Sequence, residues 1–185
     1  MKEIKGYYAY LLIVGGLILS LAAAQNWMLC IVAYALISGG ALALNCASLH
    51  YQWASIAADV LIVLEMLGRG AVAMFGDSSR MVHLVLETVS LVPYLLMGCF
   101  LLLGAAQQFR AAGEGTKLEW LLLVVWSAGV ILPLLLLLGG GLLNEWTFAY
   151  AAKAAEVLRP VGLIALIVEL FRAQREYIRT GGNSQ

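Results

Sequence analysis

Apolar residues fall in six long runs broken by short polar interruptions, at 7–24, 27–49, 52–71, 81–107, 118–138 and 146–171. Each run is close to or above the roughly 20 residues a helix needs to cross the hydrocarbon core of a bilayer. Gln25-Asn26 divides the first two runs and His50-Tyr51-Gln52 the second and third. Connections that short make neighbouring helices antiparallel and adjacent, so chain order should approximate order in space. The pattern predicts an all-α, polytopic membrane protein, a compact bundle of about six transmembrane helices. The bundle forms a single domain over residues 1–179. Residues 180–185, polar and glycine-containing, read as a disordered cytoplasmic tail.

Composition supports the same reading. The chain is 63% hydrophobic and 12% charged, against roughly 45–50% and about 25% in soluble domains. Most residues of a 185-residue domain touch its surface, so the excess of apolar side chains must face lipid. The first run has a basic flank, and Ala22-Ala23-Ala24 resembles a signal cleavage site. Its near-full bilayer length and the runs that follow favour a retained span.

Lysine and arginine set the orientation. With the N-terminus inside, the cytoplasmic side holds Lys2, Lys5, Arg110, Lys117, Arg172, Arg175 and Arg179, and the outer side holds Arg69 and Arg80. Both termini are thus expected in the cytoplasm, in a multi-pass protein of the cell (plasma or inner) membrane. Gly15-Gly16, Gly39-Gly40, Gly98, Gly104 and Gly129 are expected to let helix backbones approach closely. Pro93, Pro133 and Pro160 fall inside apolar runs, where each removes a backbone hydrogen bond. A three-plus-three repeat was tested on segments four and six, which share a Glu–Pro pair and a Phe-Arg-Ala ending. The spacing between these features is not constant, and the match reads as chance.

Net charge is zero, which gives no reason to expect nucleic acid as a partner. Cys30, Cys46 and Cys99 lie in apolar surroundings without a Cys-x-x-Cys, and read as small hydrophobes filling gaps.

Ionisable residues within a membrane are costly and by default paired, cavity-facing or functional. Counting depth at about 1.5 Å per residue brings Glu65 and Arg69 of segment three, His83 and Glu87 of segment four, and Lys153, Glu156 and Arg159 of segment six to the outer half. His83, Glu87, Ser90 and Tyr94 follow one helical stripe. The inner half is expected to carry no comparable set. The bundle should then be apolar below, with a polar pocket opening outward, and Tyr94 and Trp146 as candidate walls.

Three uses of this set are open. The first is a small-solute binding or transport protein, or a transporter subunit. Its ligand site would be Glu65, Arg69, His83, Glu87, Ser90, Tyr94, Lys153, Glu156 and Arg159, and the mixed signs suit a polar or zwitterionic solute. The second is a non-catalytic subunit or scaffold that binds another membrane protein. There the charges pair to dock helices, and Arg172, Arg175 and Arg179 offer a cytoplasmic surface. The third is a membrane-embedded metal-dependent enzyme using His83 and Glu87, which are weak metal candidates because a catalytic zinc needs three protein ligands. No catalytic or nucleotide-binding motif appears, and no cofactor is expected. In size, span count and outward polar set the plan is similar to the substrate-capture subunits of energy-coupling-factor vitamin transporters, an analogy of architecture carried by no shared motif.

Overall fold

The structure, a computed structural model, describes residues 2–22, 26–75, 80–139 and 144–181. Within these, the side chains of residues 2–5, 72, 75, 80, 81, 83, 84, 87, 137, 138, 180 and 181 lie outside the description. The described residues form six helices and no strand: α1 (Lys2–Ala22), α2 (Trp27–Ala43), α3 (Leu49–Phe75), α4 (Arg80–Ala111), α5 (Lys117–Gly139) and α6 (Glu145–Gly181). Each contains most or all of one apolar run. Two stretches, Thr88–Ala111 and Lys117–Leu136, are long and apolar enough to cross a membrane, and Gly6–Ala22 and Trp27–Ala43 are apolar but shorter.

Side chains fix several helix starts. The Asn26 carboxamide oxygen accepts from the N–H groups of Met28 (3.1 Å) and Leu29 (3.4 Å) at the start of α2. Asn144 does the same for Thr147 (2.8 Å) ahead of α6. At the end of α4, Gly113 turns at φ 80°, and the Glu114 N–H reaches back to the Phe109 carbonyl at 2.9 Å. This is the usual left-handed exit that glycine adopts without a Cβ penalty.

The α2–α3 connection differs from the expected one. The chain turns at 44–48 rather than at His50-Tyr51-Gln52, so α2 stops six residues short of the apolar run and α3 starts at Leu49. The cause is Ser48, whose hydroxyl accepts from the His50 N–H (3.2 Å) and donates to Gln107 (2.6 Å). A capping serine here outweighs local hydropathy. At the other end of the chain α6 continues to Gly181, and the rest of the expected tail, 182–185, lies outside the described residues.

Each helix packs on the next, α6 closes the ring against α1, and α4 also contacts α6 across the middle. The core is a stack of fully buried side chains including Ile13, Leu17, Ile37, Leu61, Met97, Leu101 and Leu166. Glycine makes the closest approaches. Trp126 fills the notch at Gly98 and donates its indole N–H to the Leu95 carbonyl (3.0 Å), while Tyr51 lies in the notch at Gly104.

The α1–α2 pair carries a repeat at a scale smaller than three helices. Residues 9–16 read Ala-Tyr-Leu-Leu-Ile-Val-Gly-Gly, and residues 33–40 read Ala-Tyr-Ala-Leu-Ile-Ser-Gly-Gly. In the antiparallel pair the copies face each other. A Cβ on Gly16 would meet the Ala33 carbonyl and the Ile37 side chain, both at 2.6 Å. One on Gly40 would meet the Ala9 carbonyl at 2.5 Å and Ile13 at 2.7 Å. The equivalent tyrosines, Tyr10 and Tyr34, consequently lie at different levels of the bundle, Tyr34 near Gly16 and Tyr10 near Gly40.

Candidate functional site

A cavity of about 370 Å³ opens at the end of the bundle where α1 finishes and α2 starts. Its wall includes Ser20 of α1, Cys30 and Tyr34 of α2, Leu61 and Glu65 of α3, Ser90 and Tyr94 of α4, and Arg159, Pro160 and Leu163 of α6. Four of the expected site residues are therefore brought together: Glu65, Ser90, Tyr94 and Arg159. They arrive from three helices because the antiparallel order puts the C-terminal half of α3 beside the N-terminal halves of α4 and α6.

The local geometry follows from helix pitch. Leu61 and Glu65 are one turn apart on α3, as are Ser90 and Tyr94 on α4, so each pair presents one face to the cavity. Tyr94 is buried, and the Arg159 guanidinium lies over its ring, 5.4 Å from the centroid. An arginine so placed is attracted to the ring quadrupole. Pro160 has no N–H to offer the Glu156 carbonyl, which loosens the backbone bonding of α6 beside Arg159. The Tyr34 hydroxyl is within electrostatic reach of Cys30, Glu65, Tyr94 and Arg159 and thus sits among the polar groups of the wall.

Among the described residues, charge pairing does not account for this set. Among the described residues neither Glu65–Arg69 nor Glu156–Arg159 forms an ion pair, although each is spaced to do so. Glu65 and Arg159 face the same cavity with opposite charge and without bridging each other.

Other expected residues are placed elsewhere. Arg69, Lys153 and Glu156 are exposed and do not line the cavity. Trp146 is 76% exposed and is no wall of it. The side chains of His83 and Glu87 lie outside the described residues, so the stripe continues only as far as Ser90 and Tyr94. No group of three or more His, Cys, Asp or Glu suited to a metal ion occurs among the described residues.

The cavity also contains residues that the depth count missed. Ser20, Cys30 and Tyr34 come from α1 and α2, which carry no charge at this level and so gave no sign in a search for ionisable groups. The repeated Ala-Tyr-x-Leu-Ile-x-Gly-Gly was the available signal, since it sets Tyr34 one and a half turns from the close contact at Gly40.

A polar seam runs from this cavity toward the other end. One turn below Tyr34, Ser38 bonds Ser55 of α3 at 2.9 Å, and both serines are buried. One turn further, Tyr51 lies 3.1 Å from the hydroxyl of Tyr10, which also bonds Gln108 of α4. The two equivalent tyrosines thus flank one row of polar side chains, in which Tyr10 has hydrogen-bond partners from α3 and α4.

The end bearing the termini is not the plain apolar half expected from the sequence. Arg172 of α6 donates from Nη1 to both carboxylate oxygens of Glu169 (3.1 and 3.0 Å) and lies 3.8 Å from Glu119 of α5. Its Nη2 is 3.8 Å from Glu114, and its guanidinium covers Phe109 at 4.9 Å. Glu119 and Glu169 fell inside the apolar runs as counted, so the signal was present. Counting depth passes over it because both sit within a turn or so of the basic helix ends.

No protein-family model, curated protein or solved structure matches this chain. The functional reading accordingly rests on the geometry.

Proposed function

We propose that the chain is an integral membrane protein of six spans, with both termini cytoplasmic, that binds a small zwitterionic or polar organic solute in its outward cavity as a transporter or transporter subunit. The carrying observation is the pairing of Glu65 and Arg159 on one cavity wall, opposite in sign and not bridged to each other. Half-buried Glu65 and exposed Arg159, which have no ion-pair partner among the described residues, are accounted for when a ligand supplies one to each. A carboxylate would face Arg159 and an ammonium Glu65, with Ser20, Tyr34 and Ser90 offering hydroxyls.

The volume, about 370 Å³, suits a solute at the small end of ligand sites. The membrane setting is supported by the two long apolar helices and by a surface of exposed large hydrophobics, such as Val63, Met66, Leu121, Val124, Val157 and Ile164, each more than half exposed. Contiguous apolar surface on that scale is not stable in water.

A thermal-shift screen of the detergent-purified protein against amino acids and other small zwitterions tests the reading. Stabilising hits should appear for the parent and vanish in Arg159→Ala and Glu65→Gln. A screen without a hit for the folded parent would count against a solute site.

A further inference from the structure

The second cluster, at the end bearing the termini, plays no part in the solute site and has a chemistry of its own. Glu119 is 2% exposed and Glu169 1%. Arg172 is the cation they share, and it is divided three ways, since it also reaches the half-exposed Glu114. Glu169 takes both guanidinium hydrogen bonds. Both carboxylate oxygens of Glu119 are buried with no hydrogen-bond partner, yet the group lies within hydrogen-bonding reach of Glu169.

An ionised Glu119 would therefore be buried, without a donor, against another carboxylate. Burying a carboxylate whose oxygens accept no hydrogen bond is costly even beside a shared cation, and two adjacent carboxylates at one site do not readily both ionise. One proton resolves both difficulties. It turns the contact between the two carboxylates into an O–H donating to a carboxylate, a charge-assisted bond, and leaves one negative charge against Arg172.

We propose that Glu119 and Glu169 hold one exchangeable proton between them, so that this end of the α5–α6 pair is a proton-binding site. The proton comes from solvent onto a carboxylate oxygen and returns to solvent, and no other bond changes. Among the described residues, the charged groups facing the pair are Arg172 from α6 and Glu114 from the α4–α5 turn, while α4 contributes the uncharged ring of Phe109. Among the described residues no other charged side chain ion-pairs with either carboxylate. The proposal does not depend on the solute reading.

Infrared difference spectroscopy tests it on the full-length protein in detergent or lipid. At neutral pH the parent should show a protonated-carboxyl carbonyl stretch, shifted in D₂O, that Glu119→Gln lacks because Glu169 alone against Arg172 ionises. Glu169→Gln should lose it for the mirror reason, and serves if the first variant folds poorly. Parent-minus-variant spectra with no protonated-carboxyl band at neutral pH would overturn the proposal. Thermal melts give an independent reading. Gln at position 119 mimics the protonated acid and should leave the neutral-pH Tm unchanged, whereas a clear fall in Tm with Gln would show that position 119 needs a carboxylate.

Discussion

Gly16 of α1 and Gly40 of α2 each abut the backbone of the other helix, at the closing position of the same repeated octapeptide. Their neighbours Gly15 and Gly39 have open space where a Cβ would go. Each Gly-Gly pair is thus split between one contact glycine and one that faces outward.

That split predicts opposite outcomes for adjacent substitutions. Gly16→Ala and Gly40→Ala should each destabilise by about 1–3 kcal/mol, the cost of forcing a methyl group into a packed contact. Gly15→Ala and Gly39→Ala should be neutral or gain up to about 0.5–1 kcal/mol, because alanine loses less backbone entropy in a helix. Denaturant or thermal unfolding of the four variants in one detergent makes the comparison.

The Ser38–Ser55 bond predicts strong non-additivity. Removing one hydroxyl leaves the other buried and unpaired, costing on the order of 1–3 kcal/mol. Ser38→Ala with Ser55→Ala removes both partners and should recover most of that loss. A double-mutant cycle should therefore return a favourable coupling, and additive single losses would show that the serines do not act as a pair.

Cysteine positions test the proposed orientation. Cys30 borders the cavity, whereas exposed Cys46 lies in the turn at the opposite end. In intact cells a membrane-impermeant thiol reagent should modify a variant retaining only Cys30, and should modify one retaining only Cys46 after permeabilisation. The reverse pattern would place the termini outside.

The helices were legible in the sequence because apolar runs and their polar breaks mark where a chain can stay helical without exposing backbone. Their ends were less so. α6 runs well beyond Phe171 because polar residues such as Gln174 and Tyr177 pack against α1, Gln174 bonding the Tyr7 carbonyl at 3.3 Å, and hydropathy is blind to that docking. Within the site, Glu65, Ser90, Tyr94 and Arg159 were readable from depth and helical phase. Lys153 and Glu156 do not line the cavity, and depth alone does not say which face of α6 turns inward. Tyr34 is marked in the sequence by the repeated octapeptide alone, whereas Cys30, uncharged and in an apolar run, is placed at the cavity by the packing of the helices.

The seam from Tyr34 to Tyr10 bears on how the chain would respond to membrane voltage. From Leu61 at the cavity wall to Tyr51 is ten residues along α3, or about 15 Å, roughly half the ~30 Å hydrocarbon thickness. Set in a bilayer as proposed, the cavity shortens the low-dielectric path to a waist in which Ser38 and Ser55 are a buried, hydrogen-bonded pair. A charge stepping over that waist would exchange up to about 2.3 kcal/mol with each 100 mV across the membrane. The Ser38 and Ser55 hydroxyls, buried and bonded to each other, are polar groups such a charge would meet on the way.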